Sequence, residues 1–162
     1  MNERVTRFNH VAGNAPLGYW EEDKEKVWQQ IINQAERVYE EAKELLNAAK
    51  AHDGVEVLDG HLDVWYTNSY MCDLLKALRV DVAGAKYAVV ENNDSKMTTS
   101  ANLAAASSLE YNSAGIGTYV DQTIYENTLY YSVKRKEDNK IMKLKNHVKP
   151  DLTEFVPDGW RE

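Results

Sequence analysis

The sequence predicts a mainly α-helical protein: a bundle of four to five helices followed by a small C-terminal β-hairpin. Three observations lead there. Apolar residues recur at three- and four-residue steps through two long segments, 21–50 and 55–79, which is the period of amphipathic helices. One break, Asp53-Gly54, separates those segments. Beyond Gly115 the period shortens and Tyr, Thr, Ile and Val dominate, which marks strands. The 162 residues, 43% hydrophobic and 28% charged, suit a single domain over 1–162 with no linker or repeat.

Residues 1–20 contain Gly13, Asn14, Pro16 and Gly18, which interrupt any pattern. Val5, Phe8 and Val11 still keep helical spacing for a short first helix, and Trp20 is an anchor at the entry to the next element. In 21–50 the apolar stripe is centred near Val38 and Ala42. Glu21, Glu22 and Asp23 suit the positive end of that helix dipole, and Lys50 suits the negative end. In 55–79, Val55, Leu58, Leu62, Trp65, Tyr66 and Tyr70 form the main face, with Val57, Val64 and Met71 opposite. A helix apolar on nearly all sides is expected to be buried.

A third, shorter helix covers 82–92 with Ala83, Tyr87, Ala88 and Val90 inward. Thr98 or Thr99 caps a fourth that runs to about Ser113 and stops at Gly115. Thr118–Ile124 and Leu129–Lys134 form a hairpin around Glu126-Asn127, and Lys140–Lys143 adds a short third strand. The tail from Pro150 is expected to be extended.

Composition narrows the function classes. A formal charge of −7 argues against broad nucleic-acid binding. No apolar run approaches the ~18–20 residues needed to cross a bilayer, and the charged start Met1-Asn2-Glu3-Arg4 lacks a signal core. The single Cys72 has no disulfide partner in the chain and reads as a buried structural thiol. The expected compartment is the cytoplasm, with no membrane or nucleic-acid partner.

Two acidic stretches stand out. Glu40, Glu41 and Glu44 fall within an arc of roughly 100° on the first long helix, Glu41 nearest its apolar edge. Glu56, Asp59 and Asp63 fall within about 60° on the second. The bland reading of the first stretch is a solvated face, with Arg37 paired to Glu40 or Glu41. The second is harder to explain that way. Lys and Arg are absent between Lys50 and Lys76, and an aspartate in a nearly all-apolar helix is costly unless paired or metal-bound. A short link favours antiparallel packing, which lets the two acidic stretches face each other across a helical hairpin. Oxygen donors of this kind suit Mg²⁺ or Mn²⁺. His10, His52, His61 and His147 are scattered and form no zinc motif.

Glu40-Glu41-x-x-Glu44 followed by an Asp-bearing helix resembles the all-α nucleotide pyrophosphohydrolases, the MazG-like, dimeric dUTPase and phosphoribosyl-ATP pyrophosphohydrolase group. The resemblance is closest to the last of these, in the bacterial and phage variety. Asp59-Gly60-His61-Leu62-Asp63 is similar to its second helix, Asn92-Asn93-Asp94-Ser95-Lys96 to its Ser-Asn-x-Ser-Lys segment, and Lys136–Lys143 with Pro150-Asp151-Leu152 to its ending. Two departures occur. Gly60 stands where the family often has Glu, with Glu56-x-x-Asp59 fitting that pattern one turn earlier, and Asn139 replaces a usual Gly.

The resemblance implies hydrolysis of a nucleoside triphosphate between the α and β phosphates, in a bacterial or phage-infected cell. It implies metal held by Glu41, Glu44, Asp63 and either Asp59 or Glu56, and a water handled by Glu40. It also implies phosphate contacts from Asn93 and Lys96, and assembly as a homodimer or homotetramer. The competing expectation is a non-catalytic helical protein that binds metal or nucleotide.

Overall fold

Aspartates start both long helices. In the computed structural model, which describes residues 2–18 and 23–160, the Asp23 carboxylate accepts from the Lys26 backbone N–H at 3.2 Å and opens α2, Lys24–Ala51. His52 closes α2 in the left-handed region at φ 58°, its N–H reaching the carbonyls of Ala48 and Ala49. Asp53 then accepts from the N–H groups of Val55 and Glu56, both at 3.1 Å, and opens α3, Gly54–Ala77. A two-residue link therefore makes the expected antiparallel hairpin. A short helix precedes it, α1, Asn2–Val11. Trp20, Glu21 and Glu22 lie outside the described residues.

The chain divides into two compact units, one running to Val82 and resuming at Thr153, the other covering Ala83–Leu152. In the first, α3 is central, with α2 along one side and α1 on another. Val5 of α1 is buried with Tyr70 and Leu74, Thr6 Oγ1 donates to Asp73 Oδ2 at 2.6 Å, and Phe8 meets Tyr66 edge-on. The tail is not simply extended. It makes short 3-10 turns at Thr153–Phe155 and Asp158–Trp160, and Trp160 packs on Trp28 beside Val27 and Leu78.

The second unit holds α4, Val82–Asp94, which starts at the unit's edge, then β1, Met97–Thr98, α5, Ala101–Ser113, β2, Thr118–Tyr125, and β3, Thr128–Arg135. The cap of α5 is Ser100, not Thr98 or Thr99; its hydroxyl accepts from the Leu103 N–H at 3.2 Å. Glu126 and Asn127, both at positive φ, form the hairpin turn. The antiparallel sheet has the order β1-β3-β2. Its third strand is thus Met97–Thr98, whereas of the expected Lys140–Lys143 strand only Ile141 makes a bridge, to Lys134. Helix α5 covers one sheet face, burying Ala104, Val133 and Leu144. Asn139 takes φ 58°, the left-handed conformation that Asn tolerates where a Gly would be usual.

Two expectations about faces need correction. No residue of α4 is buried, and Tyr87 is 72% exposed, so its expected inward row is not inside this chain. On α3 the expected main face is outward in its first part, where Val55 is 76% exposed, Leu58 60%, and Leu62 and Trp65 are also exposed, whereas Tyr66 and Tyr70 of the same face turn inward onto Val5 and Leu74. Helix α2 instead packs on the side that carries Gly60. Cys72 is half-buried.

Candidate functional site

A glycine and two polar residues shape the seam between α2 and α3. On α2, Val27, Ile31, Gln34, Val38, Glu41 and Leu45 follow at four- and three-residue steps, all buried or half-buried. On α3, Val57, Gly60, Val64, Thr67, Met71 and Leu74 do the same. The rows meet where a Cβ on Gly60 would stand 3.0 Å from Leu45 Cα. One polar contact crosses as well, with Gln34 Nε2 donating to the Thr67 carbonyl at 2.7 Å. A glutamate at position 60 would force the backbones apart, which gives the departure from Glu a physical reason.

Glu41 belongs to this seam; Glu40 and Glu44 flank it on the exposed side. Burial first, then the charges of Asp63, Glu44, Glu40 and Asp59, raise the Glu41 carboxyl above its ordinary range. The hairpin therefore brings together five of the six acidic residues singled out from the sequence. Asp63 acts on Glu41 more strongly than Asp59 does, and Glu56, a turn nearer the link, is not among the strongest influences. Arg37 and Lys43 form no ion pair with Glu40, Glu41 or Glu44 among the described residues. The bland pairing through Arg37 is thus not made; Arg37 instead lines a small polar pocket with Asn14, Gln30, Asn33, Gln34 and Tyr70.

The donors are of the right kind for a hard cation, all carboxylate oxygen. Their spacing is looser than a coordination shell. Among the described residues, no three Asp, Glu, His or Cys side chains stand close enough to hold a metal ion.

In the second unit, Lys96 Nζ donates to Asn93 Oδ1 at 2.6 Å, so the two expected phosphate contacts are neighbours. Beside them is a histidine that sequence reasoning set aside. His147 Nδ1 and Ser95 Oγ are hydrogen-bonded at 3.0 Å, and the His147 Nε2 is buried without a partner. Burial, then Lys143 and Lys96, lower the His147 pKa and favour the neutral ring. The signal was present: the Asn92–Lys96 and Lys140–Lys143 segments had each been singled out, but not their meeting through His147. The cleft formed by Asp94, Met97, Thr123, Tyr125 and Tyr130 was also missed. It was legible only as the alternation of Thr123 and Tyr125 in a strand. No helix among the described residues is long and apolar enough to cross a membrane. No protein-family model, curated protein or solved structure matches the chain.

Proposed function

We propose that the protein is a metal-dependent nucleoside triphosphate pyrophosphohydrolase of the all-α, MazG-like kind. It cleaves between the α and β phosphates, gives a monophosphate and pyrophosphate, and acts in control of the nucleotide pool. One observation carries this reading: Glu41 sits in a helix seam among Asp63, Glu44, Glu40 and Asp59, with no cationic side chain among the described residues paired to its own acidic cluster. Such crowding is unfavourable without an offsetting cation or proton.

Glu41, Glu44, Asp59 and Asp63 are the residues that would hold Mg²⁺ or Mn²⁺. When bound, the ion supplies neutralisation of phosphate charge and a more acidic water. Glu40, exposed next to Glu41, orients or deprotonates the attacking water. The roles of Asn93 and Lys96 as phosphate contacts are supported by their motif and by their mutual hydrogen bond. A homodimer or homotetramer is the proposed assembly, supported by the outward apolar rows Ile32, Tyr39, Leu46 on α2 and Val55, Leu58, Leu62, Trp65 on α3.

The second reading is a non-catalytic helical protein that binds metal or nucleotide. The loose spacing of the carboxylates among the described residues favours its nucleotide-binding form.

The test is a panel of canonical and modified nucleoside triphosphates with Mg²⁺ and Mn²⁺, resolving monophosphate, diphosphate, pyrophosphate and orthophosphate. Monophosphate plus pyrophosphate is expected. Glu44→Gln and Asp63→Asn should each lower kcat/KM on the order of a thousandfold, the loss of several kcal/mol of transition-state stabilisation. Diphosphate plus orthophosphate refutes α–β cleavage. No turnover by folded wild type, with nucleotide binding intact, selects the second reading.

A further inference from the structure

The uncovered face of the sheet carries a cleft that the metal-dependent reading does not use. Side chains alternate between the faces of a strand. Tyr131 and Val133 point to the α5 side, where they pack with Ala104 and Leu144. Tyr130 therefore lies on the other face. It is directly opposite Thr123, and Tyr125 follows two residues along on the same face. Met97 of β1 is paired with Ser132, again on that face. With Asp94, the last residue of α4, these side chains line a cleft of about 400 Å³. That volume is in the range of small-molecule sites. Tyr125 is 65% exposed and Met97 42%, so large apolar groups there stay in contact with water.

Two phenol rings and a thioether offer flat, polarisable surface, which suits a planar ring stacked on them. Asp94 sets the chemistry at the edge. It lies in the last turn of α4, where the helix dipole disfavours negative charge and no basic residue stands. No hydrogen bond or ion pair among the described residues engages its carboxylate. A carboxylate accepts from two adjacent donors at once. Among the common bases, guanine alone presents two, its ring N1–H beside its 2-amino group. Adenine and cytosine place an acceptor next to their amino group, and thymine offers one N–H between carbonyls.

We infer that this cleft is a guanine-recognition site, with the base stacked on Tyr125 and Tyr130 and its N1–H and 2-amino edge on Asp94. The inference rests on the nucleotide reading above and narrows its substrate class to guanine nucleotides. The net charge of −7 does not oppose it, because the base edge is a hydrogen-bond donor and carries no negative charge.

The test is calorimetric titration of the whole chain in EDTA, where no metal-dependent turnover occurs. The probes are the 5′-monophosphates of guanosine, inosine, adenosine and thymidine. Guanosine monophosphate is expected to bind at least about tenfold more tightly than inosine monophosphate, which lacks only the 2-amino group. Asp94→Asn should erase that difference, and Tyr130→Ala should weaken guanosine monophosphate about tenfold. Thermal unfolding of each variant verifies that it is folded. Equal affinity for the two purines, wild-type affinity in both variants, or no binding at millimolar nucleotide overturns the inference. Guanine selectivity retained in Asp63→Asn supports it, whether or not wild type hydrolyses a triphosphate, so its fate is separate from that of the hydrolase reading.

Discussion

In the helical hairpin the seam holds Gln34 and Glu41, while Val55 and Leu58 stand 76% and 60% exposed. In the second unit, α5 and the sheet close completely over Ala104 and Val133, each 0% exposed. The second arrangement is the ordinary one, apolar inside. The first places polar groups between its helices and leaves rows of large apolar side chains in water. Part of the difference comes from Gly60. Two helical backbones that touch at a glycine gain close packing on that side, whatever the neighbouring sides contain. The hairpin's apolar rows are then left exposed, and Glu41 is drawn into the contact. The helical unit keeps two small cores, around Val5, Tyr70 and Leu74 and around Val27 and Leu78, beside its exposed rows; the sheet unit gathers one core around Ala104, Val133 and Leu144.

That contrast is most directly broken at the outward rows. Light scattering of wild type at micromolar concentration is expected to give a dimer or tetramer, and Leu46→Glu combined with Leu62→Glu to give the 18.5 kDa chain. Burying charge at both rows costs several kcal/mol. A wild type that is only the 18.5 kDa species would remove the idea of an unfinished surface. A smaller effect is expected inside the seam. Gly60→Ala puts a methyl group 3.0 Å from Leu45 Cα and should lower unfolding free energy by about 1–3 kcal/mol in denaturant titration. Gly54→Ala, with nothing within 4 Å of its added carbon, is the control and should change little. Equal losses at both positions would mean that close approach at Gly60 does not govern the packing.

The smallest expected effect concerns protons. Glu41 holds its proton more tightly folded than unfolded. Folding therefore takes up a proton between the ordinary carboxylate value and the raised one, and stability falls as pH rises through that window. In EDTA, Glu41→Gln should melt slightly above wild type at pH 7, and the gain should vanish below about pH 4, where both states are protonated. A Glu41→Gln variant less stable than wild type at pH 7 would show that the charge is already compensated.

Much of the local structure was legible. Asp53 and Gly54 marked the hairpin link, Glu126-Asn127 marked the β-turn, and Asn139 took the left-handed conformation expected of it. These are short-range effects, carried by caps and turn chemistry within a few residues. The facing of the first part of α3, from Val55 to Trp65, was not legible, because apolar residues lie on both sides and periodicity cannot rank them. The deciding feature, a backbone contact at a residue without a side chain, leaves no trace in a hydrophobic pattern. Strand β1 was missed because two residues show no alternation, and Met97–Thr98 is ordered only by its long-range pairing with Ser132 and Tyr131. For the site, grouping of Glu40, Glu41 and Glu44 with Asp59 and Asp63 followed from helical spacing. That Asp59 rather than Glu56 acts on Glu41 required the register that Leu45 and Gly60 set.

The link through His52 and Asp53 also has a consequence in time. One residue ends a helix and the next begins another, so almost no chain must be gathered to bring α2 against α3. Closing so short a connection carries little entropic cost, and such contacts form on the ~microsecond scale of helix growth. The pairing of Met97 with Ser132 has to wait until α5 and β2 have been brought round. The order expected from these lengths is the α2–α3 hairpin first and the sheet that bears Tyr125 and Tyr130 afterwards.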